Sequence, residues 1–196
     1  MHALFFRPFL AVGLCILGLL PTQPAVAQTV VQFYTDPPAE SALADWVPTK
    51  KDQAESWLTE RNTLGGYLRA EAPDGEATLE VAKFLKKNNN AVFVVSILRC
   101  QPGCEQTLEF WQGYNNGKQW RRMDEYLIDL LGPEQLQDLL RAAGYSVSLA
   151  ELAEHPVIYQ LPKGGTSLGV RIVGFNEEEP IAYLDFVRDK FQLRAE

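Results

Sequence analysis

The amino-acid sequence predicts an α+β fold organised around an antiparallel β-meander. Residues 91–99 are rich in β-branched side chains and are apolar at both odd and even positions, which is typical of a strand covered on both faces. Two turn signals follow, Pro102-Gly103 and Asn115-Asn116-Gly117, and an alternating segment lies between them. Helical spacing is confined to the N-terminal region and to residues 124–155.

The central meander should contain three strands. In the first, side chains two residues apart share a face, with Phe93, Val95 and Ile97 on one side and Val92, Val94 and Leu98 on the other. Residues 107–111 should run back antiparallel, and residues 119–121 should begin the next strand.

Residues 1–27 have the pattern of a secretory signal peptide. Arg7 precedes an apolar stretch over residues 9–20, and Ala25-Val26-Ala27 satisfies the small-residue rule for cleavage before Gln28. Cys15 would suit a lipoprotein signal, but the residue before it is Leu14 where a small residue is expected. We therefore expect a periplasmic or extracellular protein that contacts a membrane only through this segment, before cleavage.

Residues 28–196 are long enough for a single domain with its own core. The sequence divides them into possible halves, 64–123 and 157–196, joined by helices within 124–155. The whole chain has a net charge of −7, and loss of Arg7 with the signal peptide would make it −8. This acidic balance argues against nucleic acid as a partner.

The cysteine pair Cys100 and Cys104 lies across the Pro102-Gly103 turn. In an oxidising compartment such a pair is expected to form a disulfide, and closing so short a loop should contribute about 2 kcal/mol to stability. A redox-active pair is the alternative, but such pairs have two intervening residues and a helix after the first cysteine, whereas here three residues intervene and no helical pattern follows.

The remaining elements are predicted from local patterns. Residues 28–34 form a frayed lead-in or an edge strand, 41–47 a short helix, and 50–61 a helix capped by Thr49. Residues 68–71 and 78–85 form a hairpin. Pro133 starts a helix with an apolar stripe, Gly144 ends it, and Ser148 with Glu151 forms a capping box. The last third contains strands over 157–161, 168–175 and 181–187 and a short one around Phe191.

The two sheet regions share a pattern at an offset of 76 residues. The offset aligns Val92 with Leu168, and Phe110 with Phe186. A degenerate duplication and two independent hairpins with similar alternation both explain this pattern, and the sequence leaves both open.

The meander also resembles a known family. Residues 94–104 (VVSILRCQPGC), followed by Leu108-Glu109-Phe110 and Trp120, are similar to an uncharacterised family of secreted bacterial proteins that is described as a domain of unknown function. The resemblance covers about a third of the chain. It implies an α+β sheet protein outside the cytoplasm, and it transfers no catalytic residue.

Motifs for catalysis and metal binding are weak in this sequence. Ser167 lies in a Gly-x-Ser-x-Gly pattern, but a nucleophile elbow needs a helix after the serine and a later histidine, whereas a strand pattern follows and His155 comes first. After residue 27 the sequence has one histidine and one cysteine pair, which do not make a zinc site, and Glu177-Glu178-Glu179 lacks the spacing of a calcium loop. We expect no cofactor.

Two function classes remain, and we favour the first. It is a non-catalytic binding or structural module that contacts an envelope protein, peptide or glycan, with Trp111, Tyr114 and Trp120 as the candidate binding surface. The second is a secreted hydrolase that uses the Ser167 loop or scattered carboxylates. An inhibitor of a secreted hydrolase is a variant of the first class. An exposed aromatic patch would favour binding, and a deep cleft with converging acids would favour an enzyme.

Overall fold

The computed structural model describes residues 29–73, 75–88, 90–114, 119–128, 130–175 and 179–194. In this part of the chain two antiparallel sheets, of six and four strands, are accompanied by short helices. Strands adjacent in the chain are adjacent in each sheet, so the predicted α+β meander architecture is confirmed. No helix among the described residues is long and apolar enough to cross a membrane.

The six-stranded sheet contains the predicted central strand. Its strands, in order, are β1 Leu58–Asn62, β2 Tyr67–Glu71, β3 Thr78–Leu85, β4 Ala91–Cys100, β5 Cys104–Tyr114 and β6 Gln119–Arg122. The strands of the four-stranded sheet are β7 Val157–Gln160, β8 Ser167–Ile172, β9 Ala182–Val187 and β10 Lys190–Leu193. The helices are α1 Val30–Thr35, α2 Lys51–Ser56, α3 Pro133–Ala142 and α4 Leu149–Leu152, with 3₁₀ turns at Ala42–Asp45 and Asp124–Leu127.

The six-stranded sheet is covered on both faces, and each face has its own core. Val92 and Val94 of β4 pack with Leu168, Val170 and other residues of the four-stranded sheet. Leu136 and Leu140 of α3 join this core. The opposite side of β4 contributes to a second core with the N-terminal helices, through Phe93, Val95 and Ile97. The predicted division of β4 into two apolar faces is thus confirmed at these five positions.

Two N-terminal predictions are wrong. Residues 30–35 form α1 rather than an edge strand, because Thr29 and Gln32 make a reciprocal capping box with both hydrogen bonds at 3.1 Å. The helix predicted over 50–61 ends at Ser56, and Leu58–Asn62 is a strand because it pairs with β2. Lys50, not Thr49, occupies the N-cap position of α2.

The disulfide is present at the turn between β4 and β5. Cys100 and Cys104 are directly paired residues of the two strands, and their sulfur atoms are bonded. The bond closes the hairpin at its end, in agreement with the prediction.

The two similar sheet regions have different strand registers. Val92 pairs with Gln112, whereas Leu168 pairs with Leu184, which the 76-residue offset aligns with Leu108. The shared sequence pattern therefore places corresponding residues in the core between the two sheets. It does not give them the same strand pairing.

A buried carboxylate joins the N-terminal segment to the six-stranded sheet. Glu109 on β5 is 3% exposed. Its Oε2 accepts hydrogen bonds from Ser41 Oγ at 2.7 Å and Trp111 Nε1 at 3.0 Å. Its Oε1 accepts from the Ala42 amide at 3.2 Å and from Arg122 at 3.4 Å. Both carboxylate oxygens are satisfied, so the charge is compensated within the protein.

We predict that Glu109→Ala lowers the free energy of unfolding by about 3 kcal/mol, because it leaves buried donors of Ser41 and Trp111 without an acceptor. Glu105→Ala is the matched control on the same strand, since Glu105 is 72% exposed in its side chain and pairs with Arg99 at the surface. That control should change stability by less than about 1 kcal/mol. Urea denaturation measures both, and equal losses in the two variants would contradict the prediction.

Candidate functional site

The face of the six-stranded sheet that packs against the four-stranded sheet changes from apolar to polar along its strands. Two rows of directly paired residues cross β2 to β5 in the polar half. They are Arg69, Glu80, Ser96 and Leu108 in the first row, and Glu71, Thr78, Leu98 and Gln106 in the second. Because side chains two residues apart share a face, these rows lie on the same side as Val92 and Val94. The sheet therefore presents a polar surface beside the core that it shares with the four-stranded sheet.

Gln106 connects this polar surface to the edge of the four-stranded sheet. Its side-chain oxygen accepts from the Tyr159 amide at 2.8 Å, and its nitrogen donates to the Tyr159 carbonyl at 2.8 Å. The same nitrogen also lies 2.8 Å from Ser96 Oγ. The side-chain amide thus pairs with β7 as a neighbouring strand would, and it fixes the distance between the two sheets at this point.

A groove lies between the polar surface and strands β7 and β8. One cavity, of about 240 Å³, has Arg69, Glu80, Ser96 and Gln106 on one wall and Ile158 and Arg171 on the other. A second cavity, of about 220 Å³, is lined by Cys104, Ile158, Arg171, Ile172 and Val173. The two cavities share Ile158 and Arg171 and are therefore adjacent. We call the two together the inter-sheet groove.

The charged groups of the groove are incompletely paired. The Arg69 Nη2 lies 3.3 Å from Glu71, but Arg69 Nε is buried and has no hydrogen-bond partner among the described residues. Within the same part of the chain, the Arg171 guanidinium has neither a hydrogen bond nor an ion pair. Since buried donors are almost always paired, the unpaired Arg69 nitrogen is an exception that calls for an explanation.

Glu80 is the one carboxyl among the described residues that line the groove. The Tyr67 hydroxyl donates a hydrogen bond of 2.5 Å to it. Burial raises the pKa of Glu80, and this effect outweighs the hydrogen bond from Tyr67 and the nearby charge of Arg69, both of which lower it. Burial also raises the pKa of Tyr67, as does the hydrogen bond to Glu80. Burial thus makes the Glu80 carboxyl a weaker acid than it is in water.

The serine considered for hydrolysis does not lie in a catalytic arrangement. Ser167 is the first residue of β8, its hydroxyl donates to Asp185 Oδ1 at 2.5 Å, and it accepts from Arg194 at 2.8 Å. Hydrogen bonds from Arg194 and Ser167 lower the pKa of Asp185. His155 is engaged elsewhere, because its Nδ1 lies 2.8 Å from the Val173 carbonyl. Among the described residues, Ser167 therefore has no histidine as a general base.

The three candidate aromatic residues do not form one exposed patch. Trp111 is 3% exposed and belongs to the second core, so in this structure its side chain is not part of an exposed surface. The alternation along β5 puts it on the side of Glu109, under the N-terminal segment. Trp120 is half-buried and packs edge-on against Phe33 and Phe93, with ring centroids 4.6 and 5.3 Å away. Tyr114 is 36% exposed, and the adjoining turn at 115–117 lies outside the described residues.

The described residues contain no group of three or more His, Cys, Asp or Glu side chains that could hold a metal ion. Two members of the predicted acidic turn, Glu177 and Glu178, lie outside this part of the chain.

Comparisons with protein-family models, with curated proteins and with solved structures found no match for this chain. The resemblance of the meander to an uncharacterised family of secreted bacterial proteins therefore stays a prediction.

The groove residues were not singled out from the sequence. The available signal was weak: Ser96 interrupts a run of apolar residues, and Glu80 and Gln106 occupy inward positions of otherwise alternating strands. Only the register of three strand pairs shows that these positions are adjacent. Arg171 comes from the other sheet, so no local pattern relates it to Arg69.

We predict that Glu80→Gln changes the pH dependence of stability. The pKa of Glu80 is higher in the folded protein than its ordinary value of 4.5, so its stabilising contribution is complete below that pH and is lost as the pH rises through the folded-state pKa. Glutamine does not titrate and still accepts the Tyr67 hydrogen bond. The unfolding free energy of Glu80→Gln relative to wild type should therefore increase between about pH 4 and pH 7.

Urea denaturation across this pH range measures the effect. Tyr67→Phe provides the opposing variant, because it removes a hydrogen bond that stabilises the charged carboxylate and should make the loss of stability with pH steeper. Parallel curves for wild type and Glu80→Gln would contradict the prediction.

Proposed function

We propose that this protein is a non-catalytic binding module that acts in the periplasm or outside the cell. Its inter-sheet groove would hold part of an envelope protein, a peptide or a glycan. The observation that carries the proposal is the cavity that brings Arg69 and Arg171 together from the two sheets, with no partner for the Arg171 guanidinium among the described residues. An acceptor supplied by a ligand would pair with this guanidinium.

The composition of the groove supports binding over bond cleavage. Its walls carry hydroxyl, amide and guanidinium groups together with apolar side chains, the mixture found in ligand sites. Glycoside hydrolysis in most enzymes needs two carboxyl groups on either side of the substrate, whereas Glu80 is the one carboxyl among the lining residues that the structure describes. The Cys100–Cys104 disulfide is compatible with an oxidising compartment.

The proposal predicts that filling the groove abolishes binding. Peptide and glycan arrays probed with the purified protein identify a binder, and titration of that binder gives the dissociation constants. Ile158→Trp places a large side chain at the junction of the two cavities and should weaken binding at least tenfold. Val187→Trp is the matched control, because Val187 is exposed on β9 and does not line the groove.

Thermal unfolding of both tryptophan variants verifies that they fold. No binder on either array, or a binder with equal affinity for wild type and Ile158→Trp, would overturn the proposal.

A further inference from the structure

We propose that the inter-sheet groove selects a carboxylate attached to an apolar group, as at the C-terminus of a peptide that ends in an apolar residue. This inference rests on the proposed binding function and names the chemistry that the groove recognises. It follows from the arrangement of two arginines, one acid and one apolar cavity along the groove.

The two arginines supply the recognition of an anion. Arg69 projects from the six-stranded sheet and Arg171 from the four-stranded sheet, and both line the first cavity. The guanidinium group matches a carboxylate with two parallel hydrogen bonds, and such charge-assisted bonds are stronger than neutral ones. Arg171 has no partner among the described residues, and the Arg69 side chain is 37% exposed with its Nη2 3.3 Å from Glu71, so both guanidinium groups have donors to offer.

The acid within the groove does not cancel this attraction. Glu80 lies next to Arg69 across the β2–β3 pair, but it is the residue whose charged form is disfavoured by burial. Glu71 pairs with Arg69 with 52% of its side chain exposed to solvent, where water screens its charge. Among the described lining residues the groove thus has two guanidinium groups and one carboxyl, although the whole protein has a net charge of −7.

The second cavity supplies the preference for an apolar group. Ile158 and Arg171 are at its junction with the first cavity, and Ile172, Val173 and Cys104 complete its lining. A ligand whose carboxylate meets Arg171 can place an attached apolar group against Ile158. Phosphate is polar on all sides and would leave this cavity unfilled, and a neutral sugar would leave the charge of the Arg171 guanidinium uncompensated.

The size of the groove limits what enters it. Each cavity is smaller than the roughly 300–1,000 Å³ of a typical ligand pocket, and the two together fall in that range. A terminal carboxylate with one apolar side chain fits this division into a charged and an apolar compartment. The rest of a peptide would extend outside.

Isothermal titration with three probes tests the inference. The probes are N-acetyl-Ala-Ala-Leu with a free carboxylate, the same peptide as its C-terminal amide, and octanoate. The peptide acid should bind at least about tenfold more tightly than the amide, because charge-assisted hydrogen bonds are lost in the amide. Binding of octanoate as tight as the peptide acid would identify a free carboxylic acid as the source, and much weaker binding of octanoate would identify a peptide terminus.

Arg171→Gln is the decisive variant, because Arg171 is partly exposed and has no partner in the described part of the chain, so its loss should leave the fold intact. It should remove the preference for acid over amide, and Arg69→Gln should weaken acid binding similarly. Arg121→Gln, an exposed arginine on β6, is the charge-matched control and should bind the acid like wild type.

The outcomes separate this inference from the binding function itself. Equal affinity for acid and amide, with both lost in Ile158→Trp, would overturn the carboxylate and leave the groove as a binding site. Displacement of the peptide acid by inorganic phosphate at equal concentration would overturn the requirement for an apolar group. Absence of binding by all three probes would overturn the inference, while binders from the arrays would still support the binding function.

Discussion

The alternation of side chains along β4 is the constraint on which the rest of the structure depends. This strand is paired on both edges and covered on both faces, so Val92 and Val94 must point to one core while Phe93 and Val95 point to the other. A shift of the strand register by one residue would turn each of these two sets of side chains toward the other core. Ser96 is the next even-numbered residue of β4 after Val92 and Val94. The alternation that places these two valines in the core between the two sheets therefore also places the first polar residue of the groove.

Two charged groups of this fold differ in how completely their hydrogen-bonding atoms are paired. Glu109 faces the N-terminal segment, and its oxygens accept hydrogen bonds from that segment and from the six-stranded sheet. Arg69 faces the opposite side and keeps a buried nitrogen with no partner among the described residues. The first arrangement is complete within the protein and stabilises it. The second leaves one buried donor without a partner in the described part of the chain, which is rare in folded proteins.

The meander could be predicted because its signals are local. The pattern of residues 91–99 and the Pro102-Gly103 turn specify a strand and a reversal without reference to the rest of the chain. Strand β1 could not be predicted, because Leu58–Asn62 has no apolar alternation and is a strand through its pairing with β2. The burial of Trp111 could not be predicted for a related reason. The alternation gives the face on which Trp111 lies, but the N-terminal segment that covers this face is distant in sequence.

The groove depends on contacts that no window of sequence contains. Arg69, Glu80 and Ser96 become neighbours only when β2, β3 and β4 adopt one register, and Arg171 approaches them only when the two sheets pack. The pKa of Glu80 also depends on the packing, since burial is the main cause of its rise. Sequence patterns predict which residues share a face, but they do not predict which polar groups on that face stay unpaired.

The pairing of Gln106 with β7 has a consequence for the solubility of the protein. A strand at the border of a sheet offers free amide and carbonyl groups to any other extended chain, and such borders are sites of aggregation. Here the amide and carbonyl of Tyr159 are already occupied by a side chain of the same molecule. A second molecule would have to displace Gln106 before it could add a strand at this position. At Tyr159, Gln106 therefore occupies the groups with which an added strand would pair.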